Sequence, residues 1–163
     1  MHRYTATVHW ERRGATFTDR RYSRGHAWRF DGGVEVPASS APTSVRPPYS
    51  VVEAVDPEEA LVAAASSCHM LWFLDVAARA GWVVERYVDE AEGVMARNAA
   101  GKLAITRIVL RPAIAFAGAL PSADERQRLH EAAHAECFIA SSLTSEIVVQ
   151  ERLATEPSGA LAR

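Results

Sequence analysis

The side chains best suited to redox or nucleophilic chemistry in this chain are its two cysteines, Cys68 and Cys137. A thiolate is both a nucleophile and a metal ligand, and its reactivity depends on access and on a cationic neighbour, since burial alone makes a thiol inert. Free cysteine is also among the most buried residue types, so two inert core residues are the alternative reading. The surroundings of Cys68 favour a pocket. Ser66, Ser67 and His69 flank it in the middle of an otherwise apolar run, Ala60 to Leu74, and hydroxyls or an imidazole buried there need partners. His69 points about 100° around a helix from Cys68 and is not its activator. Around Cys137 the spacing is different: His130, His134 and Cys137 fall at i, i+4 and i+7 on one helical face. That is the spacing of a His-x3-His-x2-Cys metal set with Cys68 as a fourth ligand. The same histidines also suit a solvated or capping role. Met70, Trp72, Phe73 and Phe138 would supply an apolar pocket wall or plain core packing.

These residues need a scaffold, and the capping signals define most of it. Asp56-Pro57-Glu58-Glu59 predicts a helix start, with Asp at the N-cap, Pro at the first helical position and acids near the positive end of the dipole. The helix runs to about Ala80, where Gly81 supplies a stop, and its middle is apolar or small on nearly every face. A helix apolar all round is buried all round. One subunit of this size can hardly wrap it, so strands on several sides or a second copy must cover it, and a homodimer is expected. Ser122-Ala123-Asp124-Glu125 opens a second helix through Leu129, Ala132, Ala133 and Glu136 toward Cys137.

The remaining pattern is strand-like. Tyr4 to Trp10 alternates with period two, Gly14 turns toward Thr16-Phe17-Thr18, and Trp28-Arg29-Phe30 ends at an Asp31-Gly32-Gly33 turn before Val34 to Val36. Residues 37–49 are rich in Pro and Ser and read as a loop. Val83 to Met95 and Leu103 to Phe116 read as a long hairpin around Asn98-Ala99-Ala100-Gly101, and Ile147 to Val149 as a last strand. The order describes one α+β domain over residues 1–163, with 155–163 a frayed tail.

Composition narrows the function. The 163 residues are 48% hydrophobic and 23% charged with a net charge of −2, interspersed, so no basic stripe suits a nucleic-acid backbone. The N-terminus lacks a basic patch followed by an apolar run, and no stretch is read as a membrane span. A cytoplasmic protein is expected.

The run Asp56-Pro57-Glu58-Glu59-Ala60-Leu61-Val62-Ala63-Ala64-Ala65-Ser66-Ser67-Cys68 resembles the segment that opens the central helix of the OsmC/Ohr family, the organic hydroperoxide reductases. The element order, an N-terminal β-meander, this helix, a hairpin, a helix bearing the second cysteine and a final strand, is similar over essentially the whole chain. The resemblance implies an intertwined homodimer with active sites at the subunit interface. It implies a peroxidatic Cys68, a resolving Cys137, an arginine that holds the thiolate charged and a glutamate, Glu58, that holds the arginine. Arg24, in a Gly-flanked loop with Tyr22 and His26, is the first choice for that arginine, and Arg13 at the first turn is the competitor. Glu58 lies about 15 Å along the helix from Cys68 and must act through the arginine or across the interface. An organic hydroperoxide as substrate, an external dithiol or lipoylated protein as reductant, and no metal or flavin cofactor follow from the same resemblance. His69 and Phe138 stand where hydroperoxide reductases usually have Phe and Pro, and Asp56 where they have Asn, which points to an OsmC-like branch. A non-catalytic binder of apolar ligands on this scaffold, or a metal protein using His130, His134 and Cys137, are the other classes.

Overall fold

In a computed structural model that describes residues 1–152, the chain gathers into two compact units, Met1–Leu61 and the part from Val62 onward. The tail expected over 155–163 lies outside the described residues. The first unit is an antiparallel meander of β1 (Ala6–His9), β2 (His26–Phe30) and β3 (Glu35–Ala38), with Ala6 opposite Phe30 and His26 opposite Ala38. Gly33, at φ +83°, makes the turn between β2 and β3. Thr16 to Thr18 do not form the expected second strand. Arg13 and Gly14 turn the chain through positive φ, and Phe17 then stacks on Tyr22 beside Trp10, a side-chain cluster that a flat hairpin would pull apart.

The central helix α1 covers Pro57–Arg79, within a residue of the expected limits. Its cap is reciprocal: Glu59 N–H donates to Asp56 Oδ1 at 2.8 Å, and Asp56 N–H donates to Glu59 Oε2 at 3.1 Å. Asp56→Ala therefore lowers stability by about 1 kcal/mol while Asp56→Asn holds it near wild type, since Asn caps as well as Asp. Urea midpoints of the three proteins check this, and equal midpoints for Ala and Asp would refute it.

By length and composition alone α1 is long and apolar enough to cross a membrane, which corrects the expectation that no segment reaches that threshold. Its packing is that of a core helix on one face only. Ala65, His69, Phe73 and Ala77, each four residues apart, are buried, whereas Ala63, Ala64, Ser67 and Leu71 are exposed. The all-round burial that the apolar composition predicts is not met among the described residues.

In the second unit the long hairpin divides in two. Strand β5 (Glu92–Arg97) pairs with β6 (Leu103–Leu110), and β4 (Val84–Asp89) pairs with β7 (Pro112–Phe116). The break falls at Arg111-Pro112, where Pro112 has no amide hydrogen to continue the ladder and Arg111 N–H donates to Asp89 Oδ1 instead. The last strand, β8 (Glu146–Val149), lies parallel to β6. Helix α2 (Ala123–Glu136) starts from the expected Ser122 capping box and ends at Cys137, which also caps a short unanticipated helix, α3 (Phe138–Ser142). Two apolar clusters hold α1 in this unit: Ala65 with Ile108 and Leu110 of β6, and Phe73 and Ala77 with Ile114 of β7 and Leu129 and Ala133 of α2. His69 sits between them along the helix.

Candidate active site

Three of the four polar residues in the middle of α1 take separate partners. Ser66 Oγ donates to Asp89 Oδ2 at 2.5 Å, tying α1 to the end of β4. Ser67 is exposed. Cys68 meets Cys137, and His69 meets His130.

The two thiols are free, Cys68 half-buried and Cys137 at 1% exposure. The Cys137 side chain lies against that of Cys68, within reach of a side-chain hydrogen bond. Burial first, then that bond and the Cys68 charge, push the Cys137 thiol up, while the amides of Ala140 and Ile139 work the other way. Ala140 N–H points at Cys137 Sγ at 3.4 Å. The two sulfurs thus differ in the properties that assign chemistry. Solvent reaches Cys68, and Cys137 keeps its proton.

His130 does not join His134 and Cys137. Its ring turns inward to His69, with His69 Nε2 and His130 Nδ1 3.0 Å apart and the ring planes within 11°. His134, one turn on, is exposed. The metal set suggested by spacing is thereby dispersed, and among the described residues no group of three or more His, Cys, Asp or Glu is placed to hold a metal ion. Spacing along a helix specifies a face, but here Cys137 is the cap and leaves helical geometry, at φ −70° and ψ 109°.

The predicted arginines and glutamate lie in the first unit. Arg24 is half-buried, with its Cζ 4.0 Å from the centroid of the Tyr22 ring, and its Nη1 donates to the carbonyls of Arg20 at 2.8 Å and Tyr22 at 2.5 Å. It lines an apolar pocket of about 390 Å³ with Trp10, Phe17, Tyr22, Ser40 and Pro57. The loop is held by a short relay: Trp28 Nε1–H donates to His26 Nε2 at 3.0 Å, which leaves His26 Nδ1 to donate to the Arg24 carbonyl at 2.7 Å. Arg13 sits instead in an exposed turn at φ 49° and lines a larger cavity of about 780 Å³ and mixed polarity with His9, Glu11 and Arg29. Glu58 is half-buried in the first turn of α1, next to the pocket residue Pro57, and makes no ion pair with Arg24 or Arg13 among the described residues.

The aromatic box under Arg24 and the His69–His130 contact are the features that sequence reasoning missed. Tyr22, His69 and His130 were visible as residues. Their partners lie in separate segments, and period or capping patterns carry no information about such pairing.

The comparisons with known proteins agree with this architecture. An OsmC-like protein of unknown function from Vibrio cholerae is 45% identical, with a TM-score of 0.91 over 93% of this chain and 100% of that one. At the level of fold alone, an organic hydroperoxide resistance protein from Elizabethkingia anophelis matches with a TM-score of 0.67 at 17% identity, covering 96% of this chain and 98% of that one. One from Legionella pneumophila matches at 0.63 and 14%, covering 95% and 98%. No curated protein matches in sequence. The family model for OsmC-like proteins matches residues 51–152, more than half of the chain and the whole stretch that carries both cysteines, and the chain belongs to that OsmC-like family.

Proposed function

We propose that this protein is a thiol-dependent peroxidase that reduces organic hydroperoxides through Cys68 and Cys137. The observation that carries the reading is the unequal thiol pair, one sulfur reachable and the other buried, protonated and against it. In the first step the Cys68 thiolate attacks the distal oxygen of the hydroperoxide. The O–O bond breaks, Cys68 becomes a sulfenic acid and the alkoxide leaves, taking a proton to become the alcohol. Two electrons pass from sulfur to the peroxide. In the second step Cys137 attacks the sulfenic sulfur, the S–O bond breaks, water leaves and a Cys68–Cys137 disulfide forms. An external dithiol or lipoylated protein then returns two electrons and two protons by thiol–disulfide exchange.

Oxidation of Cys68 eases the restraint on Cys137. Burial is the main hold on the Cys137 proton, and while Cys68 is a thiolate its hydrogen bond and charge add to that hold. A neutral sulfenic acid no longer exerts that charge, so part of the hold is released while burial remains and the amides of Ala140 and Ile139 work against it.

Arg24 is our choice for the cation that steadies the Cys68 thiolate, and Glu58 for the residue that orients it. In support, the Arg24 guanidinium has no carboxylate partner among the described residues and lines an aromatic pocket, whereas Arg13 lies at an exposed turn. The exposed apolar face of α1, with Leu71 at 60% exposure, supports a homodimer in which a second copy covers it. We place the protein in the cytoplasm, where a reducing thiol pool would regenerate the pair. A second reading, a non-catalytic binder of apolar ligands, draws on the pocket of Trp10, Phe17 and Tyr22.

Mass spectrometry of the reduced protein after one equivalent of cumene hydroperoxide separates the two. The peroxidase loses two hydrogens and yields a Cys68–Cys137 linked peptide. Two thiols left unoxidised would end the catalytic reading in favour of the binder.

A further inference from the structure

The His69–His130 contact serves no step of the proposed chemistry, yet it is built at a cost. Both rings are buried, at 1% and 3% exposure, on helices whose nearby residues Phe73 on α1 and Leu129 and Ala133 on α2 are buried in one apolar cluster. The Phe73 ring lies 4.5 Å from that of His130. One hydrogen bond of 3.0 Å joins the pair, and the outer nitrogens, His69 Nδ1 and His130 Nε2, have no partner among the described residues. Whichever tautomer holds, one N–H and one lone pair are buried unsatisfied, an arrangement less stable than two aliphatic side chains of similar volume. An aliphatic contact can slide or rotate with little loss, whereas a hydrogen bond between two rings specifies both distance and direction.

The location gives that direction a use. His69 is the residue after Cys68, and His130 lies two turns before Cys137 on α2, about 10 Å along its axis. A disulfide tolerates only a narrow range of separations, with Cβ atoms about 3.5–4.5 Å apart. A fraction of a turn of α2 against α1 would take Cys137 out of that range.

We propose that the His69–His130 hydrogen bond is a positioning device that locks α1 and α2 in the one register where Cys137 meets the Cys68 sulfur, raising the effective concentration of the second thiol at the first. The use of this register rests on the two-thiol reading above, in which Cys68–SOH and Cys137–SH condense to the disulfide and water. The geometric claim stands independently of peroxide chemistry.

The test equilibrates the intact protein against oxidised and reduced dithiothreitol at pH 7 and quantifies the Cys68–Cys137 disulfide by mass. The His69→Leu/His130→Leu variant is expected to lower the equilibrium constant for disulfide formation at least tenfold, about 30 mV in potential, with a urea midpoint equal to or above wild type. His69→Gln, whose amide nitrogen replaces Nε2, is expected to stay within threefold of wild type. A folded double variant with the wild-type constant overturns the proposal. If the double variant does not fold, the comparison of His69→Gln with His69→Met decides: Gln near wild type with Met reduced tenfold supports the device, and equal constants overturn it. A wild type that forms the disulfide in this buffer but leaves cumene hydroperoxide unreduced would remove the peroxidase reading alone, and the variants would still decide the role of the pair.

Discussion

Cys68→Ser drops the steady-state rate of cumene hydroperoxide reduction by more than about a thousandfold, because a serine hydroxyl cannot accept the peroxide oxygen and the neighbouring Cys137 is buried with its thiol pushed up. Cys137→Ser behaves differently. Its Cys68 sulfur remains half-exposed, so the first peroxide is still reduced at close to the wild-type rate and the enzyme halts as a sulfenic acid that a dimedone-type reagent can label. With a small thiol in excess, turnover resumes, now through a mixed disulfide. Rapid-mixing single turnovers distinguish the two variants. If Cys68→Ser retained a burst and Cys137→Ser lost it, the assignment of the sulfurs would be reversed, and burial of Cys137 at 1% exposure would have misled us about access.

That assignment shows how unevenly the site was legible. The helix that carries Cys68 could be bounded within a residue, because its limits are local: Asp56, Pro57 and Glu59 act on adjacent amides, and Gly81 supplies the φ of +83° that ends it. The polar cluster Ser66, Ser67, Cys68 and His69 could be marked as needing partners, but not matched to them. Asp89 is 23 residues from Ser66 and His130 is 61 from His69, separations at which only tertiary packing decides who meets whom. The metal set failed for a related reason. Helical spacing does not carry through Cys137, where the chain leaves the helix and the thiol caps α3, and within α2 His130 is buried against the core while His134, one turn on, is exposed. The first unit is the least legible in sequence, since the turn at Arg13 and Gly14 and the stacking of Phe17 on Tyr22 put a pocket wall where the pattern suggests a strand. The loop that holds Arg24 and the turn that holds Arg13 are both visible in the sequence. The stacking of Arg24 on Tyr22 and its two carbonyl acceptors were beyond any sequence pattern.

The same buried histidines give the protein an acid limit of stability. Burial pushes His69 down to about 4, with the charge of His134 as a further cause, and pushes His130 down to about 4, with His69 and Arg126 adding to it. No carboxylate is among these causes. In the unfolded chain both imidazoles titrate near 6.5. Between about pH 6.5 and 4 the unfolded state therefore binds protons that the folded state does not, and stability falls with decreasing pH. The loss is about 3 kcal/mol for each ring at its largest, and it levels off below about pH 4, where the folded pair can be protonated too. Urea denaturation of wild type at intervals from pH 7.5 to 4.5 should show the midpoint falling below pH 6.5. In His69→Leu/His130→Leu that part of the slope should vanish, leaving only the contribution of the carboxylates and the other histidines. A double variant with the wild-type slope would mean that the pair is already open to water and protons in the native state. The core between α1 and α2 would then be looser than a 3.0 Å bond between two buried rings allows.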